Sequence, residues 1–157
     1  MPAGAFVVPN LAKLNMLEGA TGILRNGSAC YRLALVKSTW APAPTTNEVW
    51  ADVSANEIAT AGQTAYVAGG AALTAVTLAQ AAGVVKFTSA AQVWTADGTG
   101  IPAWRYMVLY YLGTLNGKIN PLVAYALGDA TPADIPLTTA GNTLTITPNA
   151  SGILSVT

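Results

Sequence analysis

Apolar positions along this chain fall mostly in short runs of period two, the spacing of strands rather than helices. The clearest run covers residues 104–111, where Trp104, Tyr106, Val108 and Tyr110 alternate with Arg105, Met107, Leu109 and Tyr111. Residues 30–38 read as a second strand that is apolar on both faces, which predicts a central strand covered twice. Further strands are expected over residues 73–78, 84–88, 92–96, 122–127, 143–147 and 153–156, with Asn116-Gly117 as a hairpin tip. Ala41-Pro42-Ala43-Pro44 ends the strand at 30–38, because proline cannot donate to a ladder. Residues 45–54 are expected to form a helical turn carrying Val49, Trp50 and Val53. Ser54-Ala55-Asn56-Glu57 has the spacing of a capping box.

The first stretch has a different period. Leu11, Leu14 and Leu17 recur every three residues after Pro9-Asn10, and Gly19 and Gly22 follow. Asn10 suits an N-cap and glycine a stop, so a short amphipathic helix over residues 11–18 is expected. Such a helix is marginal alone in water and needs a surface to lie on. Asn26-Gly27 then reads as a turn. The pattern therefore divides the chain into an N-terminal arm with a short helix, residues 1–27, and a β-sandwich domain, residues 28–157. The fold class is mainly β: an antiparallel β-sandwich with a short N-terminal helix or arm.

Composition narrows the chemistry. The chain of 157 residues has no histidine, seven basic and seven acidic residues, and 52% hydrophobic residues. Charged residues are 9% of the total, against about 25% in an ordinary soluble domain. Without histidine there is no Ser-His-Asp or Cys-His nucleophile and no Cys/His zinc site. Glu48 and Asp52, four apart, read as a solvated helix face or a helix-start acid rather than a catalytic carboxylate pair. Asp97-Gly98-Thr99-Gly100 reads as a polar turn, since calcium needs more carboxylates than one. Cys30, the single cysteine, reads as a small apolar residue at the start of a strand. No catalytic residue, metal or cofactor is expected.

The basic residues are scattered, with no stripe to neutralise phosphates, so nucleic acid is not an expected partner. Residues 58–85 carry no charge, but glycine, threonine and glutamine break them into short pieces, and no membrane span is expected. The N-terminal MPAGAFVVPN lacks the basic start of a signal peptide; the two Asn-X-Ser sites, Asn26-Gly27-Ser28 and Asn149-Ala150-Ser151, therefore read as coincidence. Near-zero net charge promotes association. Candidate contact residues are Phe6, Leu11, Leu14 and Leu17 on the arm, with Trp40 beside the proline-rich break and Trp50 near a loop.

From about Cys30 onward the order of segments resembles a family of small structural proteins of tailed bacteriophages, the head-decoration, neck and tail-associated β-sandwich proteins. The segments are YRLALVKSTW, EVWADVSANEI, TAYVAGGAALTAVTL, VVKFTSAAQVWTA, WRYMVLYY, NPLVAYALGD and NTLTITPNASGILSV. Two departures stand out: the glycine turn reads Thr64-Ala65-Tyr66-Val67-Ala68-Gly69-Gly70, and the loop over residues 129–136 is long. The resemblance implies a virion protein with no enzyme activity and no cofactor. On this reading the expected function is capsid decoration, as a cement protein that binds neighbouring subunits through apolar surface and the N-terminal arm. Its expected partners are other virion proteins, the major capsid protein or tail proteins, and further copies of itself in a homo-oligomer. A tail, neck or baseplate component is the nearest alternative. A host-glycan or receptor-binding module, stacking sugar on an exposed Trp40 or Trp50, is the alternative from another class.

Overall fold

The structure, a computed structural model, describes residues 3–17, 30–58 and 64–156. The elements are helix α1 (Asn10–Leu17) and strands β1 (Tyr31–Val36), β2 (Ala71–Ala72), β3 (Thr77–Ala81), β4 (Val84–Thr88), β5 (Gln92–Thr95), β6 (Tyr106–Tyr111), β7 (Thr114–Leu115), β8 (Lys118–Ile119), β9 (Leu122–Leu127), β10 (Thr143–Ile146) and β11 (Leu154–Val156). Two short 3₁₀ turns, Trp50–Asp52 and Ser54–Asn56, lie between β1 and β2. The mainly β, antiparallel fold expected from the alternating pattern is the one observed.

The main sheet has the order β2-β1-β6-β9, all antiparallel. Strands β1 and β6 sit at its centre in the register Tyr31↔Tyr111 to Val36↔Tyr106. Their apolar residues on both faces are explained by what covers each face. The odd-numbered side chains, among them Tyr31, Leu33, Leu35, Met107, Leu109 and Tyr111, join Phe87, Trp94 and Ile153 in one core. That core lies against two smaller sheets, β10-β5 and β11-β4-β3. The even-numbered side chains Ala34, Val36, Val108 and Tyr110 form a second core with Trp40, Trp50 and Val53. Its cover is irregular chain from residues 40–58. A register shift in the β6–β9 pairing at Leu109/Tyr110 lets Val123 and Ala124 both join the first core while Leu122 joins the second.

Several expectations are corrected. Residues 73–76 are not strand: the ladder begins at Thr77, and Ala71–Ala72 makes a separate two-residue pairing with β1. Trp104 lies before β6 rather than in it and bridges Ile135 across the sheet end. The Ser54–Glu57 capping box does not form, because Glu57 turns away to the residue 66–69 segment. Of the two readings of Glu48 and Asp52, the helix-start acid holds for Asp52: it lies in the first turn of the 3₁₀ segment Trp50–Asp52, and its carboxylate accepts the backbone N–H groups of Glu48 and Val49. The β7–β8 hairpin carries Asn116-Gly117 at its tip as expected. The helix starts at Asn10, one residue before its expected start. Glu18, Gly19, Gly22 and the Asn26-Gly27 turn lie outside the described residues.

Candidate interaction surface

The N-terminal segment, residues 3–9, completes the main sheet at its β9 edge. Val7 pairs with Tyr125 in an antiparallel bridge, exchanging N–H···O bonds of 2.6 and 2.9 Å. The Gly4 N–H donates to the Leu127 carbonyl at 3.0 Å, and the Asn10 N–H to that of Pro44 at 3.0 Å. Side chains follow the strand alternation: Phe6 packs on the first core, while Val7 pairs with Tyr125, which packs on the second. An apolar cleft flanks each face of the segment. The inner one, about 1000 Å³, is lined by Phe6, Leu33, Met107, Leu144, Ile146 and Leu154 among others. It opens where the β10 and β11 sheets fail to join. The outer one, about 560 Å³, is lined by Gly4, Val7, Pro42, Tyr106, Tyr125 and Leu127 among others.

The expected contact residues separate into two groups. On the arm, Leu14 is 46% exposed and Val7 45%, and Phe6 and Leu11 are half-buried. The side chain of Leu17 lies outside the described residues. Phe6 is turned into its own chain's core rather than outward. The two tryptophans are not surface residues at all: Trp40 is 5% exposed and Trp50 8%. Trp50 stacks on Tyr110 with ring centroids 4.7 Å apart and an interplanar angle of 9°. Trp40 meets Tyr106 and Tyr125 edge-on at 5.1 and 5.5 Å. The prolines that suggested exposure instead let the chain double back, laying both indoles onto the outer face of the sheet. A sugar-stacking role for exposed Trp40 or Trp50 therefore loses its residues.

The opposite edge of the sheet is built around Glu57. Its carboxylate accepts the Tyr66 hydroxyl at 2.6 Å and the Gly69 N–H at 2.8 and 3.0 Å. The Tyr66 oxygen in turn accepts the Leu35 N–H at 2.9 Å, and Tyr110 donates to the Gly69 carbonyl at 2.6 Å. Burial, then the hydrogen bond to the Glu57 carboxylate and its charge, push the Tyr66 hydroxyl well above the ordinary tyrosine range. Burial and Glu57 raise Tyr110, against an opposing pull from Arg32. Burial raises Tyr125, with Tyr106 adding to it. Next to this turn, the Asp97 carboxylate holds the Thr64 hydroxyl, the Thr64 N–H at 2.8 Å and the Ala65 N–H at 3.3 Å. Those donors, the Thr64 hydroxyl foremost, lower the Asp97 carboxyl. The Asp97 loop is thus a clamp on a neighbouring segment, a role its sequence did not announce.

Charged groups elsewhere serve local geometry. Arg105 and Asp134 pair at 2.7 Å and Lys118 and Glu48 at 2.8 Å, both partly solvated. Among the described residues no three His, Cys, Asp or Glu side chains cluster as metal ligands, and no helix is long and apolar enough to cross a membrane. The arrangement offers apolar area and a sheet edge finished by the N-terminal segment. No family model, no curated protein and no solved structure matches this chain.

Proposed function

We propose that this chain is a non-enzymatic structural subunit of a bacteriophage virion, acting as a capsid decoration protein. The observation that carries the reading is the β9 edge: a short segment held by a few backbone bonds, with apolar clefts on both its faces, on a body of very low charge. Such a surface binds by shape and apolar area. Burying one exposed side chain of the size of Val7 or Leu14 contributes about 1.5–3 kcal/mol before entropic costs. The ordered motifs from Cys30 onward, which resemble those of tailed-phage structural proteins, supply the kind of partner: the major capsid protein and further copies of this chain.

The test is particle binding by the full chain and by a chain lacking residues 1–22. The full chain is expected to co-sediment with capsids and the truncated chain to remain in solution. Equal binding by both removes the arm from the mechanism, and binding by neither removes the decoration reading. Copy number separates the head from a neck, tail or baseplate position, because decoration covers the shell in many copies and a tail ring contains few.

A further inference from the structure

We infer that residues 3–9 are an exchangeable strand, and that in the assembled protein this segment of one copy occupies the β9 edge of a second copy. The inference rests on the reading of the chain as an assembling subunit, and it names the acceptor. Three observations support it. First, the edge at β9 already accepts this sequence, with Val7 opposite Tyr125 and Gly4 bonded to Leu127. A second copy offers the same acceptor, so every contact made within one chain can be remade between two.

Second, the segment is weakly held. The sheet grips it through three backbone bonds along residues 4–7, Val7 is 45% exposed, and Phe6 and Val7 each line a cleft. Elements with few buried contacts open at a small fraction of the global unfolding free energy. Third, twelve residues separate Leu17 from Cys30, at most about 40 Å of chain, so α1 travels with residues 3–9 and its Asn10–Pro44 bond and buried Ala12 are remade on the neighbour as well. That reach is on the scale of a subunit diameter. Subunits packed side by side face one another at effective concentrations in the millimolar range, so the neighbour's edge competes with the chain's own.

Geometry supplies the test. A Cβ built on Gly4 lies 3.1 Å from the Leu127 Cβ, near the separation of about 3.5–4.5 Å that a disulfide spans. In a Cys30→Ser background, a Gly4→Cys chain and a Leu127→Cys chain are unfolded, mixed, refolded together at about 1 mM, in the range of that effective concentration, and oxidised. Exchange predicts a covalent heterodimer, carrying the 4–127 cross-link by peptide mass, well above the homodimers that either variant forms alone. The Gly4→Cys/Leu127→Cys double variant, treated alone, is expected to give covalent species at multiples of the chain mass. A double variant trapped wholly as a monomer, with the mixture giving no excess of heterodimer, overturns the inference.

A second measurement needs no cysteines. The full chain is expected to sediment as a dimer or larger at high concentration and the chain lacking residues 1–9 as a monomer. A full chain that stays monomeric overturns the exchange. Capsid binding by such a monomer would leave the decoration reading intact, so the two failures are told apart.

Discussion

The two edges of the main sheet are finished in opposite ways. At the β2 edge a two-residue strand is fixed by a polar lock: Glu57 holds Tyr66 and Gly69, and Tyr110 holds the Gly69 carbonyl. Gly70 follows with φ +69, packed so closely that an added Cβ would lie 2.3 Å from the Leu33 carbonyl oxygen. At the β9 edge a longer segment lies along the strand with three backbone bonds and a cleft on each face. Exposed strand edges invite pairing with other chains. One edge is closed against that, while the other is covered only by a piece of the same chain. The difference teaches that strength of closure, and not length of covering strand, decides which edge can trade partners.

The locked edge gives the largest expected effects. Gly70→Val forces a β-branched residue into a left-handed conformation against β1 and is expected to cost about 3 kcal/mol or more, a fall in Tm of about 6–12 °C for a chain of this size. A Tm within 2 °C of the parent, on the same scale, would mean that the edge is not locked by that contact. Glu57→Ala leaves the Gly69 N–H and the Tyr66 hydroxyl without their acceptor, and a loss of about 2–3 kcal/mol is expected from urea midpoints.

The same lock predicts alkaline sensitivity. Tyr66 is raised above its ordinary value of 10.0 in the folded chain, so above that pH the unfolded chain loses a proton that the folded chain keeps. Stability from this group is complete below about pH 9 and falls as pH rises past 10, by up to about 1.4 kcal/mol per pH unit. Tyr110 and Tyr125 shift in the same direction. Tyr66→Phe is expected to flatten the fall in urea midpoint between pH 9 and 11, in the window set by the ordinary tyrosine value. An unchanged slope would detach Tyr66 from it.

The loose edge gives the smallest effect on stability and the sharpest local one. Val7→Pro removes the N–H that Tyr125 accepts, at about 1 kcal/mol. Hydrogen exchange is expected to quicken at the Tyr125 amide, which donates to Val7, while the Ala124 and Ala126 amides keep their protection. Equal quickening along all of β9 would mean that the segment is integral to the sheet.

Much of this architecture was legible in the sequence. Strands β4, β5, β6 and β9 follow from alternation because each is half or fully buried, and the one irregularity, the shift at Leu109/Tyr110, leaves the strand period readable. The pairing of β1 with β6 was not, since it joins residues 70 to 80 positions apart and no local pattern records the partner. Proline and loop composition speak to local backbone and place Trp40 and Trp50 at the surface, whereas their burial depends on which sheet face the chain folds back upon. Glu57 matched a capping box at the level of spacing, and lost that role to a tertiary partner, Tyr66, that holds it more firmly. The edge role of residues 3–9 was hidden because MPAGAFVVPN is too short and too interrupted by proline to show a strand period.

The outer cover of the sheet has a consequence for where the chain tolerates a change of length. Residues 40–58 seal one face through indole and phenol rings and a few bridges, Val36↔Glu57 and Val49↔Pro121 among them. The stretch from Ala41 to Asn47 contributes nothing to the ladder of β1, β6 and β9. A change of length there leaves the register untouched as long as the two tryptophans land on their tyrosines and Pro44 still meets Asn10. The stretch is therefore tied to the rest of the chain through the Pro44 carbonyl, which holds the start of α1, and not through the ladder.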